Sequence, residues 1–315
     1  MITGGPLRFH PLFPGWIAGV FLVLASSLVL GADAGLEGML FARMASDARG
    51  AALGPAGSGV SEGVTALYAN PAGAVMQNSL ALGTTYQSRP GGFQGGSLFG
   101  LAPLDEETCL AASVSLLVHP DMELTTDTVP DGTGELASFM GAEFGLVGSQ
   151  WFMEDTSLGI GLRYLHEEVA DMGANAVSLD AGVLHNFNPA LSVGAAVRGL
   201  GQEIRAKTVR DQLPLSVILG GRIFLDPLPV RIYSGGIWAP YSVSSGGAGL
   251  ELGEFAGAFL RGSVEWRETG AKGFAFGVGG RTEMWNIDYT WSSAGAIGGV
   301  HRITLLLRFV RGGGS

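Results

Sequence analysis

The sequence predicts an all-β fold: a 14-stranded antiparallel transmembrane β-barrel with a small N-terminal helical or loop hatch in its lumen. Three observations predict it. The 315 residues are 47% hydrophobic and 15% charged with mean hydropathy +0.32, whereas soluble proteins carry about 25% charge. Beyond residue 34 no apolar run reaches the length of a spanning helix, so a membrane-embedded chain must satisfy its backbone strand to strand in a closed barrel. From Ser79 to Phe309 apolar residues alternate with small or polar ones in segments of roughly ten, as outer-membrane strands do.

Residues 1–34 read as a signal peptide: Arg8 and His10, an apolar run from Ile17 to Leu30, then Ala32-Asp33-Ala34 with cleavage expected after Ala34. That run falls short of the ~20 residues of a membrane-spanning helix, which argues for export without an anchor. Residues 35–78 do not alternate and are rich in alanine and glycine. Pro71 pushes Asn70 to an extended conformation, the Asn70 side chain can cap the backbone that follows, and Gly73 permits a positive φ. A plug is the expectation, because Gly159, Gly161, Gly194, Gly220, Gly277 and Gly279 leave room for it inside a barrel. Residues 79–310 then form the barrel and 311–315 a tail.

Fourteen strands are expected to start near Ser79, Ser97, Thr108, Ser138, Ser157, Ala174, Leu191, Leu213, Val230, Gly246, Phe259, Gly273, Trp285 and Gly299. The last is the clearest. Ile303, Leu305, Leu307 and Phe309 share one face while Arg302, Thr304 and Arg308 share the other, with Leu306 as the exception. Across the strands the face opposite the apolar one carries Glu143, Arg163, Asp180, Arg198, Arg222, Arg261, Glu265, Asp288 and Arg302, taken as lumen-facing. A soluble sandwich could also alternate, but the signal peptide, the low charge and Trp151, Trp238, Trp266, Trp285 and Trp291 near strand ends favour a barrel with aromatic girdles. Tight connections at Glu154–Thr156, Asn186–Ala190, Asp226–Pro229 and Glu254–Gly257 occupy one end, and long ones at His119–Leu136 and Leu200–Gln212 the other. Short periplasmic turns and long outside loops follow, with the mature N-terminus on the periplasmic side.

Ala48-Arg49-Gly50-Ala51-Ala52-Leu53-Gly54 followed by Tyr68-Ala69-Asn70-Pro71-Ala72-Gly73 resembles the N-terminal signature of the PorV/PorQ outer-membrane proteins, which are related to the FadL long-chain fatty-acid transporters. The likeness continues through Leu158–Tyr164, Asp180–Leu184, Val197–Gly201, Leu213-Pro214, Asp288-Tyr289 and His301–Phe309. Two departures are Gly199, where the family commonly has asparagine, and Val310–Ser315, which extend past the aromatic residue that usually ends the last strand. The resemblance implies a 14-stranded barrel whose hatch motif here is Arg49, Tyr68, Asn70, Pro71 and Gly73. It implies passive, hatch-gated transport of small hydrophobic molecules or, alternatively, a non-transporting interaction barrel that serves protein secretion of type IX by holding an exported protein.

Little else in the chain points to chemistry. Beyond residue 34, His119, His166, His185 and His301 stand without a nucleophile motif, which argues against an enzyme. The acids Asp121, Glu123, Asp127, Asp131, Glu167 and Glu168 lack the spacing of a calcium loop, and the runs Gly246-Gly247 and Gly277–Gly280 precede strands rather than helices, unlike phosphate loops. The lone Cys109 excludes an internal disulfide, and a net charge of −10 disfavours nucleic acid. The expectation is therefore no catalytic residue, metal or cofactor, with outer-membrane lipid and a hydrophobic solute or exported protein as partners of a monomer. Arg49, held inside the barrel, should pair with an inward carboxylate such as Glu143, Asp180, Glu265 or Asp288.

Overall fold

The computed structural model describes residues 37–309 except 45–46, 124–127, 135, 171, 203 and 207–208. The expected signal peptide and tail lie outside the described residues. Period-two alternation produces β1 (Leu80–Ser88), β2 (Gln94–Pro103), β3 (Thr108–Glu123), β4 (Leu136–Met153), β5 (Thr156–Val169), β6 (Met172–Asn188) and β7 (Leu191–Gly201). A two-stranded ribbon follows, β8 (Ile204–Ala206) with β9 (Val209–Asp211), and then β10 (Ser216–Leu225), β11 (Val230–Trp238), β12 (Ser245–Phe255), β13 (Ala258–Arg267), β14 (Lys272–Arg281), β15 (Trp285–Ser293) and β16 (Gly299–Phe309). Strands β1–β7 and β10–β16 form a closed barrel of fourteen in sequence order. The antiparallel ladder from Leu80 opposite Phe309 to Ser88 opposite His301 closes it, so no edge is left for other chains to pair with.

Thirteen of the expected starts lie in or beside the observed strands, but Leu213-Pro214 does not begin one, and β10 starts at Ser216. Pro214 has no N–H to give a ladder, and Leu213 instead packs inward with Met39, Phe41 and Ile204. The stretch read as a plain loop, Leu200–Gln212, holds the ribbon β8–β9.

Alternation separates two environments. Ile160 is 71% exposed between the inward Gly159 and Gly161, and Leu158, Leu162, Val177, Leu179, Leu305 and Leu307 are likewise exposed around the outside. Such a continuous apolar belt cannot face water and marks a lipid-facing wall. Leu306, the exception to the period, is buried with Leu67, Val75 and Phe99, so its apolar side chain serves the interior. Trp238, Trp266, Trp285 and Trp291 share the outward parity of their strands, whereas Trp151 does not join the girdle: it packs inward against the cluster of Leu67, Tyr68 and Val147. Connections of two to four residues occupy one rim; the longest connections, from β3 to β4 and from β7 to β10, join strand ends at the other.

The segment before β1 lies inside the barrel. It consists of a 3-10 turn (Leu40–Arg43), a short helix α1 (Ala48–Ser58), and two further 3-10 turns (Gly63–Tyr68 and Pro71–Met76). Asp47 caps α1 by accepting from the Gly50 amide at 2.8 Å, and the helix kinks at Gly54, whose φ of +53° precedes Pro55. Helix α1 packs against β10–β16, while Pro71–Met76 packs against β3–β6, so the segment covers both halves of the wall. Its start is not on the short-turn side. Glu37 bridges to Gln212, in the connection from β7 to β10 at the long-loop rim, and the Gly38 amide donates to the Gln212 carbonyl at 3.1 Å. The chain thus passes through the lumen once before entering β1 at the opposite rim.

Candidate functional site

The interior segment is fastened by small residues and buried polar contacts. Asn70 is fully buried; its Nδ2 donates to the carbonyls of Gly59 at 2.7 Å and of Val183 on β6 at 3.0 Å, and its Oδ1 accepts from the Ala72 amide at 3.1 Å. The asparagine therefore caps the turn, as its position before proline suggests, and also ties it to the wall. Gly73 does not take a positive φ. It is needed because a Cβ there would stand 1.8 Å from the Ser61 carbonyl oxygen. Wall glycines form the matching seat: a Cβ on Gly159 would reach Pro71 at 2.3 Å, and one on Gly194 the Gly59 carbonyl oxygen at 2.1 Å. Ser149 and Ser157 both donate to the Ala72 carbonyl, at 2.8 and 2.9 Å.

Two charge networks complete the fastening. In the first, Arg163 of β5 bridges Glu143 of β4 at 3.4 Å and Asp180 of β6 at 3.0 Å, and Arg198 of β7 meets Asp180 at 3.0 Å. These two arginines also donate to the segment, Arg163 to the Ala42 carbonyl and Arg198 to the Tyr68 carbonyl. Tyr68 itself is buried, which pushes its hydroxyl up to about 12.

Arg49 pairs with none of the four carboxylates expected for it. Its Nε donates to Glu251 of β12 at 3.0 Å, and its Nη2 to the Tyr233 hydroxyl of β11 at 3.3 Å. Glu251, 1% exposed, also receives Arg231 at 2.9 Å and Arg261 at 2.6 Å, and Arg261 continues to Asp288 of β15. Burial works against the Arg49 charge, but Glu251, with Tyr233 and Glu62, outweighs it and holds the guanidinium above its ordinary value. Arg222 pairs with Glu62 of the segment, and Glu265 with its own neighbour Arg267 at 3.0 Å. Arg302 is buried and donates to Ser292 at 3.1 Å.

Glu251, Glu62 and Tyr233 were not singled out from sequence. Glu251 lies between the outward Leu250 and the partly buried Leu252, so strict alternation assigns it to the lumen; its partner 202 positions away leaves no local sign. Around the segment the lumen retains a cavity of about 480 Å3 on the long-loop side and cavities of about 1300 and 820 Å3 toward the short turns. No cluster of metal-ligating side chains occurs among the described residues.

No family model and no curated relative matches the chain. Solved structures do. The toluene transporter TodX of P. putida superimposes with a TM-score of 0.66 at 10% identity, over 85% of this chain and 100% of that one. The monoaromatic hydrocarbon channel CymD gives 0.63 at 10%, over 85% and 98%, and a FadL homologue of Pseudomonas aeruginosa gives 0.61 at 11%, over 84% and 98%. The fold is thus that of the FadL-type β-barrels. None of these matches bears on the PorV/PorQ side of the resemblance.

Proposed function

We infer that the chain is a monomeric outer-membrane conduit for small hydrophobic molecules, exported by cleavage of residues 1–34 and gated by residues 35–78 acting as a hatch. The observation that carries this reading is the single pass of the segment through the lumen, which separates cavities at the two ends. The wall glycines and serines form a seat fitted to this segment, which lies across the lumen between the two ends. The neighbours in fold are named as transporters of toluene and a channel for monoaromatic hydrocarbons, and the lipid-facing belt sets this barrel in a membrane. Opening requires the segment to shift, because its contacts with both halves of the wall leave it across the path.

The test is uptake of labelled toluene by cells with a lipopolysaccharide outer leaflet, with and without the protein. Faster uptake with the protein is expected. Identical uptake at equal, correctly folded expression would overturn the reading and favour the secretion-accessory alternative.

A further inference from the structure

The long-loop cavity of about 480 Å3 and the short-turn cavity of about 820 Å3 meet at the start of α1, where Asp47, Arg49 and Thr65 line both. Two of these three side chains are fixed. Asp47 accepts from the Gly50 amide at 2.8 Å and from the Thr65 hydroxyl at 2.9 Å, and both residues are buried. The Arg49 side chain keeps 22% exposure and is held at its guanidinium, by Glu251 at 3.0 Å, Tyr233 at 3.3 Å and Glu62 at 3.9 Å. Tyr233 lines the long-loop cavity and Glu251 the other, so the guanidinium stands in the partition and bonds to one residue from each side.

Turning that guanidinium needs no backbone movement, because an arginine changes rotamer about its own side-chain bonds. The turn leaves no carboxylate bare: Glu251 keeps Arg231 at 2.9 Å and Arg261 at 2.6 Å. Both cavities offer water to the displaced charge. Each is walled by charged side chains, Arg163 and Glu265 in the first, Arg231 and Asp288 in the second, and recesses so large and polar hydrate. With Arg49 withdrawn, the neck retains Glu251 and Asp47, whose Oδ1 has no hydrogen-bond partner among the described residues. Loss of the guanidinium charge shifts the potential of the neck toward negative, which draws cations.

We propose that Arg49 is a side-chain gate and charge selector on a second, narrow path: with the segment docked, turning its guanidinium away from Glu251 and Tyr233 joins the two cavities and passes water and small ions. The inference rests on reading the segment as a hatch and adds to it, since a hydrocarbon needs the segment to shift whereas an ion needs this one side chain to turn. The test is planar-bilayer recording of the full protein under a potassium chloride gradient, comparing the parent with R49Q and R49K. R49Q should conduct more than the parent and shift the reversal potential toward potassium selectivity, while R49K, which keeps the charge, should shift it less. A lock distinguishes turning from undocking. A Cβ on Gly249 would stand 3.4 Å from that of Ala56 in α1, close to the spacing in a disulfide, so A56C/G249C ties α1 to β12. Oxidised A56C/G249C/R49Q should still conduct more than oxidised A56C/G249C. A folded R49Q with the parent's conductance and selectivity would overturn the proposal. So would a gain that vanishes in the locked protein, or one as large as that of a chain lacking residues 40–74, since either would show that Arg49 merely fastens the segment. The deletion also separates the two readings: no gain there sinks the hatch, whereas a gain there with none in R49Q sinks the Arg49 gate alone.

Discussion

Asn70→Ala isolates the fastening of the interior segment from the stability of the barrel. Asn70 takes no part in any strand ladder, yet its side chain serves the Gly59 carbonyl, the Val183 carbonyl and the Ala72 amide. Truncation leaves at least the Gly59 carbonyl and the Ala72 N–H buried without this partner, at about 1–3 kcal/mol each. Taken together the loss is about 3 kcal/mol, a shift of roughly a hundredfold in the equilibrium between docked and released segment. The β1–β16 closure and the lipid belt are untouched, so the barrel should keep its heat-modifiable mobility on gels. Single-channel recording in planar bilayers should then show more frequent or larger openings than the parent protein. A folded variant whose conductance and opening frequency match the parent's would refute the argument that Asn70 holds the segment in place.

Other perturbations follow from the same geometry. Gly194→Ala drives a Cβ to 2.1 Å from the Gly59 carbonyl oxygen, whereas Gly262→Ala meets nothing nearer than 3.6 Å; only the first should raise conductance, and equal effects would show that the seat is not what excludes larger residues. Glu251→Ala strands Arg49 and Arg261 in a buried network and should cost about 3–5 kcal/mol in a urea refolding titration, against little change if the network is dispensable. Leu305→Arg, on the lipid face, should cost ~2–4 kcal/mol of barrel stability. Thr304→Arg, on the opposite face, replaces a side chain whose Oγ1 accepts from the Ala48 amide at 2.9 Å; it should dislodge α1 and open the pore, and an unaltered conductance would contradict that placement. A tag between Thr125 and Gly132 should be reachable from outside intact cells and one at Asn186–Asn188 should not; the reverse pattern would invert the orientation.

The barrel was legible because period two repeats in every strand and the turn residues punctuate it. Leu306 broke the period without a reason that the sequence could supply; the structure gives it, burial with Leu67 and Val75 of the interior segment. What lay beyond reading was the path of residues 37–78, which have no period to project a direction, so that Glu37 reaches the long-loop rim rather than the short-turn side. The motif residues illustrate the division. Asn70 before Pro71 announced a capped turn, but its bonds to Gly59 and Val183 depend on where the segment lies. Gly73 announced glycine's freedom, when the requirement is closeness to Ser61. Arg49 demanded a carboxylate, and sequence could say only that one must be near; Glu251, among the glycines of β12, gave no sign of which.

Deleting residues 40–74 while keeping residues 1–34 tests the central claim most directly, because it removes the interior segment and leaves every barrel strand. Recorded in planar bilayers, the folded deletion variant should conduct ions far more strongly than the intact protein, as an unobstructed lumen of fourteen strands would. A folded deletion variant that conducts no better than the intact protein would contradict the reading of the segment as a hatch across a transport path.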